Sequence, residues 1–282
     1  MKIIVTGAGG FVGRPVMHKL NSIPEIEAVP LSRKTTDYSV KSLREVFRDA
    51  EAVIHLAGVK GGSGSITDFH VNEEITENIL ISMGEEKVGR IVFASSRLVY
   101  SDPLKIPWKE DSPLEPMTMY GISKVACESL CRLYATRYGF TYANVRIAQV
   151  LGPDEGARNM MNVFLDTSLQ GGQLRVQGKS IAKRQYIYVE DLADILCSLA
   201  MDDSGESLTL NAGMPAAYTN LEIARLINQV FGNDTPIEYD DSFPETIQSS
   251  EMDVSNLIKK TGSAPRDMEQ ALKDLFFNIS SR

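Results

Sequence analysis

The opening stretch constrains the fold more than any other. It reads Lys2-Ile3-Ile4-Val5-Thr6-Gly7-Ala8-Gly9-Gly10-Phe11-Val12-Gly13. An apolar, strand-length run stops at Thr6, glycines follow at 7, 10 and 13, and a helical pattern begins. Gly7 permits a tight turn directly after the strand. Gly10 lets the backbone approach a pyrophosphate with no Cβ in the way. Gly13 lets the helix sit close to the strand, and the start of that helix offers free N–H groups to phosphates. The context of strand before and helix after predicts a dinucleotide site at the head of a parallel sheet.

The rest of the first half follows the same rhythm. Apolar runs at 2–6, 26–31, 52–57, 90–94 and 142–148 alternate with helix candidates at about 10–21, 39–48, 72–86 and 120–138. This alternation implies right-handed βαβ crossovers and an α/β fold, a Rossmann-type doubly wound parallel sheet. Sites in such sheets lie beyond the carboxyl ends of the strands. After about residue 150 Gly, Pro and Asn become frequent, and shorter strands and helices are expected. The expected organisation is a dinucleotide-binding domain over 1–150 and a smaller C-terminal α/β substrate lobe over 151–282. A segment near 186–201, apolar at helical spacing from Val189 to Met201, is expected to join the first domain.

Composition excludes several classes. The chain has 282 residues, 43% of them hydrophobic, enough for a large core. A net charge of −8 argues against a nucleic-acid surface. The apolar runs are far shorter than a membrane span, and the N-terminus enters a strand with no signal-peptide pattern. Cys127, Cys131 and Cys197 form no CxxC pair and no Cys/His cluster, so no metal site is expected. Buried reduced thiols fit a cytoplasmic protein.

Two further patterns carry chemistry. The second strand ends in Ser32-Arg33-Lys34. A carboxylate there would bind the ribose 2′-OH of NAD, whereas a hydroxyl and two cations suit the extra phosphate of NADP. NADP(H) is therefore the expected cofactor, with NAD(H) as the alternative. Tyr120-Gly121-Ile122-Ser123-Lys124 sets Tyr and Lys four apart at the start of a helix, on one face. A phenol is a poor base near neutrality. A neighbouring ammonium favours the phenolate and is expected to lower the pKa of Tyr120, which can then exchange a proton with a substrate hydroxyl or carbonyl.

Taken in order, these motifs resemble the extended short-chain dehydrogenase/reductase family, in its nucleotide-sugar-modifying branch. Thr6-Gly7-Ala8-Gly9-Gly10-Phe11-Val12-Gly13 is similar to that family's cofactor loop. Phe93-Ala94-Ser95-Ser96-Arg97-Leu98-Val99-Tyr100 resembles its S-S-x-x-V-Y segment. Pro107, Glu110, Asp111, Pro113 and Pro116 resemble its lead-in to the catalytic Tyr. The resemblance implies Ser96, Tyr120 and Lys124 as catalytic residues. It implies cofactor contacts from Gly7, Gly10, Phe11, Val12, Gly13, Ser32, Arg33, Lys34, Tyr120, Lys124 and Ala148. Asp37-Tyr38 resembles the adenine contact, and Leu56-Ala57-Gly58 the segment that approaches the cofactor. Ala57-Gly58-Val59-Lys60 and the glycines after it resemble a stretch of UDP-galactose 4-epimerases in which Lys60 would touch the cofactor. Arg184, in Arg184-Gln185-Tyr186-Ile187-Tyr188-Val189-Glu190-Asp191, and Asn159 resemble diphosphate contacts. Gln149 stands where the family usually has Asn. Ser96, Gln149, Asn159 and Arg184 are thus the expected substrate contacts, and a nucleotide-diphosphate sugar the expected partner. Family members commonly pair through two helices, which implies a homodimer through 72–86 and 120–138, with Ile75, Ile79, Leu130, Leu133 and Tyr134 available to a partner.

The 4,6-dehydratases of this family need an Asp-Glu pair after the catalytic Thr. Arg97 and Leu98 stand there and cannot supply an acid and a base. Expected instead is an NADPH-dependent 4-ketoreductase of a 4-keto-6-deoxy nucleotide sugar, as Ser32-Arg33-Lys34 favours. The alternatives are an NAD-dependent 4-epimerase, favoured by the segment around Lys60, and a non-catalytic NADP-binding regulator.

Overall fold

A computed structural model describes residues 1–60, 65–153, 155–156, 159–244 and 248–280. In chain order its elements are β1 (Lys2–Thr6), α1 (Gly13–Asn21), β2 (Glu27–Leu31), α2 (Val40–Phe47), β3 (Ala52–His55), α3 (Thr67–Glu86), β4 (Arg90–Ser96), α4 (Met119–Tyr138), β5 (Thr141–Ile147), β6 (Gln149–Leu151) and α5 (Met160–Leu169). There follow β7 (Arg175–Gln177), β8 (Arg184–Tyr188), α6 (Val189–Ala200), β9 (Leu208–Ala212), β10 (Ala217–Tyr218), α7 (Asn220–Phe231), β11 (Glu238–Asp240), α8 (Ser255–Thr261) and α9 (Met268–Ser280). The chain divides into two compact units. The first comprises Met1–Ser101, Glu110–Ile147 and Val189–Ala212; the second comprises Asp102–Lys109, Ala148–Tyr188 and Gly213–Arg282.

The first unit is a six-stranded parallel sheet in the order β2-β1-β3-β4-β5-β9. The strand order reverses beside β1, which places the switch point, and hence the ligand crevice, at its carboxyl end. Side chains alternate between faces. Ile4, Val53 and Ile91 stand in register and pack with Leu43 and Phe47 of α2, Ile79 and Met83 of α3, and Cys131 of α4. Helices α1 and α6 pack against each other. All five strands read from periodicity are present; β9 is an addition. Its five residues carry no apolar run long enough to stand out, and the pairing with β5 defines it.

In the second unit β8 pairs parallel with β6 and antiparallel with β10, while β7 pairs with β11. Its core joins Leu151, Phe164, Leu165, Tyr186, Tyr188, Ile223, Ile227 and Leu272. Its strands are short, and its helices run from 7 residues in α8 to 13 in α9, against 20 each in α3 and α4 of the first unit. The frequent Gly, Pro and Asn fall in the turns, and α7 is well terminated by a Thr219–Glu222 capping box and Gly232. No helix among the described residues is long and apolar enough to cross a membrane. No group of three or more His, Cys, Asp or Glu among them could hold a metal. The three cysteines are free and buried.

One buried polar chain ties the first unit together. His55 is 1% exposed. Its Nδ1 lies 2.8 Å from Thr6 Oγ1 and its Nε2 3.0 Å from Thr76 Oγ1. Thr76 sends its proton to the Asn72 carbonyl at 2.7 Å, so His55 Nε2–H must be the donor to Thr76. Nδ1 then accepts from Thr6, whose oxygen in turn accepts from the N–H groups of Leu56 and Ala57. Burial, followed by the charge of Lys124, pushes the His55 pKa down to about 3.

The unfolded chain binds a proton at His55 below pH 6.5 and the folded chain does not until about 3. Stability is therefore full above 6.5 and falls as pH drops through that window, by about 3–5 kcal/mol in all. We predict that the ring nitrogens of His55 keep their Nε2–H NMR pattern to pH 4 in the folded protein. Titration of His55 near pH 6 without unfolding would contradict this assignment.

Candidate active site

The glycine loop closes as its spacing demands. Gly7 has φ +71°, and its N–H donates to the Leu31 carbonyl at 2.9 Å. A Cβ on Gly7 would sit 2.8 Å from the Ala57 nitrogen. A Cβ on Gly13 would fall on the Gly7 carbonyl oxygen. Gly10 N–H donates to Gly7 O at 2.9 Å, and α1 starts at Gly13 rather than at residue 10. The loop takes three more residues than the pattern implied, because Gly10 closes a turn before the helix begins.

A cavity of about 340 Å³ lies over this loop. It is lined by Gly7, Gly9 and Gly10 of the loop, Ser32, Arg33 and Tyr38 after β2, Leu56, Ala57 and Gly58 after β3, and Ile75 of α3. A Cβ on Gly58 would sit 3.3 Å from Asn72 Oδ1 and 3.8 Å from Lys124 Nζ. Bare backbone on two sides and a cation at one end fit a nicotinamide dinucleotide. Phe11, Val12, Gly13, Lys34, Asp37, Lys60, Tyr120, Lys124 and Ala148 do not line the cavity. Asp37 Oδ1 accepts from the Ser39 N–H at 2.9 Å, and the hydrogen bonds of Ser39 and Ser42 hold its carboxyl below the usual range. Tyr38 has φ +57° and is 4% exposed; burial raises its hydroxyl. Lys60 is exposed, and the glycines at 61, 62 and 64 lie outside the described residues.

The catalytic candidates sit around the start of α4. Thr118 caps that helix by accepting from Gly121 N–H at 3.0 Å. A Cβ on Gly121 would overlap the Leu98 carbonyl oxygen, so glycine permits α4 to approach the segment after β4. Lys124, 5% exposed, donates from Nζ to the Ala94 carbonyl at 2.7 Å. Its ammonium lies 4.7 Å from the Phe93 ring centroid and 5.5 Å from that of Tyr120. Ser96 Oγ accepts from Leu98 N–H at 3.2 Å, which fixes the hydroxyl at the carboxyl end of β4.

Electrostatics correct one expectation. Burial, followed by the Cys127 thiol, pushes the Tyr120 pKa up to about 12, not down. Burial pushes Lys124 down to about 8. Lys124 spends a hydrogen bond on Ala94, and loss of water around the partly buried phenol sets the direction at Tyr120. In this arrangement Tyr120 is a protonated donor beside a cation, not a ready phenolate.

Asn72 was not anticipated. Its Nδ2 donates to Val59 O at 3.1 Å and to Ser123 Oγ at 3.3 Å, and its Oδ1 accepts from Val59 N–H at 2.6 Å. Ser123 Oγ donates on to the Tyr120 carbonyl at 2.9 Å. Asn72 thus joins the cavity wall to the Tyr120 turn. The available signal was a polar pair, Asn72 and Thr76, one turn apart on a buried helix face.

The second unit holds the remaining candidates. Arg184 Nη2 donates to Asn220 Oδ1 at 2.6 Å, while its Nε is buried with no partner among the described residues. Asn159 caps α5: Oδ1 accepts from Asn162 N–H at 3.0 Å and Nδ2 donates to Glu155 at 2.9 Å. Gln149 opens β6 half-buried, and Ala148 is 5% exposed in this same unit. The helix faces offered for pairing are also corrected. Ile75, Ile79 and Tyr134 lie in the core of the first unit and Leu130 packs against it, because α3 and α4 pack together over the sheet. Leu133 is 55% exposed.

Comparison with known proteins agrees with this geometry. Residues 3–213 match the model of the NAD dependent epimerase/dehydratase family. The crystal structure of UDP-N-acetylglucosamine 4-epimerase from Bacillus cereus is 31% identical, covers 99% of both chains and superposes with a TM-score of 0.92. A protein of Methanocaldococcus jannaschii described as a putative UDP-glucose 4-epimerase is 29% identical over 246 residues, 78% of this chain and 79% of that one. UDP-glucuronic acid 4-epimerase from Bacillus cereus, solved with NAD, shares the fold at 18% identity and a TM-score of 0.83, over 100% of this chain and 99% of that one. Sequence match, fold and the geometry of the Tyr120 turn converge, and the chain belongs to the NAD-dependent epimerase/dehydratase family, enzymes of the extended short-chain dehydrogenase/reductase type.

Proposed function

We propose that this chain is a 4-epimerase of a UDP-linked sugar. The observation that carries the reading is the likeness to UDP-N-acetylglucosamine 4-epimerase at 31% identity across 99% of both chains. A redox-neutral inversion at C4 needs one group to move a proton at the C4 oxygen, and Tyr120 is that group here. Ser96 hydrogen-bonds the same oxygen. The oxidation half needs Tyr120 as a phenolate to accept the C4 hydroxyl proton; Lys124, with a pKa of about 8, is an ammonium at neutral pH, and with the positive nicotinamide ring, when bound, it would favour that form over the protonated phenol. When bound, the nicotinamide ring supplies the hydride acceptor and donor. Arg184 Nε, buried without a partner among the described residues, suits a phosphate oxygen of the nucleotide. Gln149 and Asn159 are the other proposed substrate contacts; Asn159 would exchange its bond to Glu155 for the substrate.

A second reading is a 4-ketoreductase, favoured by Ser32 and Arg33 on the cavity wall, which suit the 2′-phosphate of NADP(H). That phosphate lies remote from the hydride, so either dinucleotide supports the same chemistry. The retained cofactor separates the readings: an epimerase releases tightly held dinucleotide on denaturation, and a ketoreductase consumes added NADPH.

We predict that the purified protein interconverts UDP-N-acetylglucosamine or UDP-glucose with its C4 epimer, and that Tyr120→Phe lowers kcat by about 10²-fold or more with KM little changed. An unchanged kcat would remove Tyr120 from the chemistry. Arg33→Ala is expected to weaken NADP+ binding about tenfold and to leave NAD+ affinity within about twofold. Equal loss for both would place Arg33 away from the 2′ position. We also propose a homodimer through α3 and α4, with Ile122 and Leu133, 42% and 55% exposed, at its centre. Sedimentation at micromolar concentration should show a dimer, reduced to monomer by Leu133→Glu; a monomeric wild type contradicts it.

A further inference from the structure

Behind the tyrosine–lysine turn lies a buried polar cluster that neither the cofactor cavity nor the proton transfer uses. The sheet register lines up Ser95, Arg146 and Asn211 across β4, β5 and β9. Glu128 of α4, one turn beyond Lys124, faces this row; it is 4% exposed and Arg146 is 5% exposed. Arg146 binds the carboxylate in a fork, Nη2 to Oε2 at 2.8 Å and Nε to Oε1 at 3.0 Å. Ser95 Oγ donates to Glu128 Oε1 at 2.5 Å. On its far side Arg146 Nη1 donates to Tyr100 OH at 2.6 Å and to the Glu110 carbonyl at 2.8 Å. Tyr100 passes its proton to Asn211 Oδ1 at 2.9 Å, and Asn211 N–H donates to Glu110 Oε1 at 2.9 Å.

A buried ion pair is a poor route to stability, since desolvation offsets most of the attraction. Its location is what gives it a use. Ala94, Ser95 and Ser96 are consecutive at the end of β4. The Ala94 carbonyl receives Lys124, and Ser95 is tied to Glu128. Two bonds one helical turn apart therefore fasten β4 to α4 just before the catalytic hydroxyl. We propose that Glu128 and Arg146 are positioning residues: acting through Ser95, they hold Ser96 in place against the Lys124–Tyr120 turn. The inference rests on Tyr120 and Lys124 acting in catalysis, and not on which sugar is bound.

The groups facing Lys124 are Tyr120, Cys127, Glu128 and Cys131 of α4, His55 of β3, the Phe93 ring of β4 and Asn72 of α3. Glu128 is the carboxylate among those that favour the ammonium. The test uses the dinucleotide-bound enzyme. Ser95→Ala removes a single tether. It should lower kcat about tenfold, with KM and dinucleotide affinity within about twofold, and Ser95→Thr should restore most of the loss by returning the hydroxyl. Glu128→Gln keeps an acceptor for Ser95 but removes the charge. The 13Cε resonance of Lys124, assigned with Lys124→Met, should then titrate about 0.5–1 pH unit lower than in the wild type. That titration needs no sugar, so it reads the coupling of Glu128 to the Lys124–Tyr120 turn even if the wild type turns over no UDP-sugar, a result that would defeat the epimerase reading alone; the Ser95 variants read the tether itself. A folded Ser95→Ala enzyme with wild-type kcat, or a Lys124 midpoint unmoved in Glu128→Gln, overturns the proposal.

Discussion

A buried ammonium sets the terms for the rest of this structure. Lys124 is 5% exposed, and a charge so placed persists only with partners. Its direct partner is the Ala94 carbonyl at the end of β4, with the faces of Phe93 and Tyr120 beside it. That bond requires the start of α4 to lie close against the end of β4. Gly121 makes the approach possible, because any Cβ there would meet the Leu98 carbonyl. The lysine, the glycine three residues before it and the strand end are one construction.

The sheet order brings the cofactor cavity to the same place. The loop after β1 and the segment after β3 close over each other at Gly7 and Ala57, so tightly that Gly7 could carry no side chain, while Gly13 is kept bare by Gly7 and Ala8 of its own loop. His55 ends β3 one residue before that wall and is held neutral between Thr6 and Thr76. From Thr76 the connection runs along α3 to Asn72, and from Asn72 through Ser123 to the Tyr120 carbonyl. Cavity wall and Tyr120 turn are thereby joined by short hydrogen bonds rather than by loops.

What could be read from the chain beforehand follows a physical division. The glycine loop, the parallel sheet and the Tyr120–Lys124 spacing were legible because each depends on residues close in sequence. A missing Cβ or a four-residue helical offset has the same consequence wherever it occurs. Asn72, Glu128 and Arg146 were not legible. Their partners stand far along the chain, Asn72 with Ser123 and Arg146 with Glu128 and Tyr100, and only the strand register brings them together. The acidity of Tyr120 failed for a related reason. Spacing shows that a cation is near, but it does not show how much water the phenol loses, and that loss drives its pKa up. The apolar residues of α3 and α4 were equally ambiguous, and packing of the two helices over the sheet turned Ile75, Ile79 and Tyr134 inward.

The central claim is that hydrogen leaves and returns at C4 of a UDP-sugar as a hydride held by the dinucleotide, while Tyr120, beside Lys124, moves only the proton on the C4 oxygen. Turnover of a UDP-sugar carrying deuterium at C4 tests it most directly. The account predicts slowed turnover and an epimeric product that still carries its deuterium at C4 in ordinary water. Loss of that deuterium to solvent, with inversion still occurring, would contradict it.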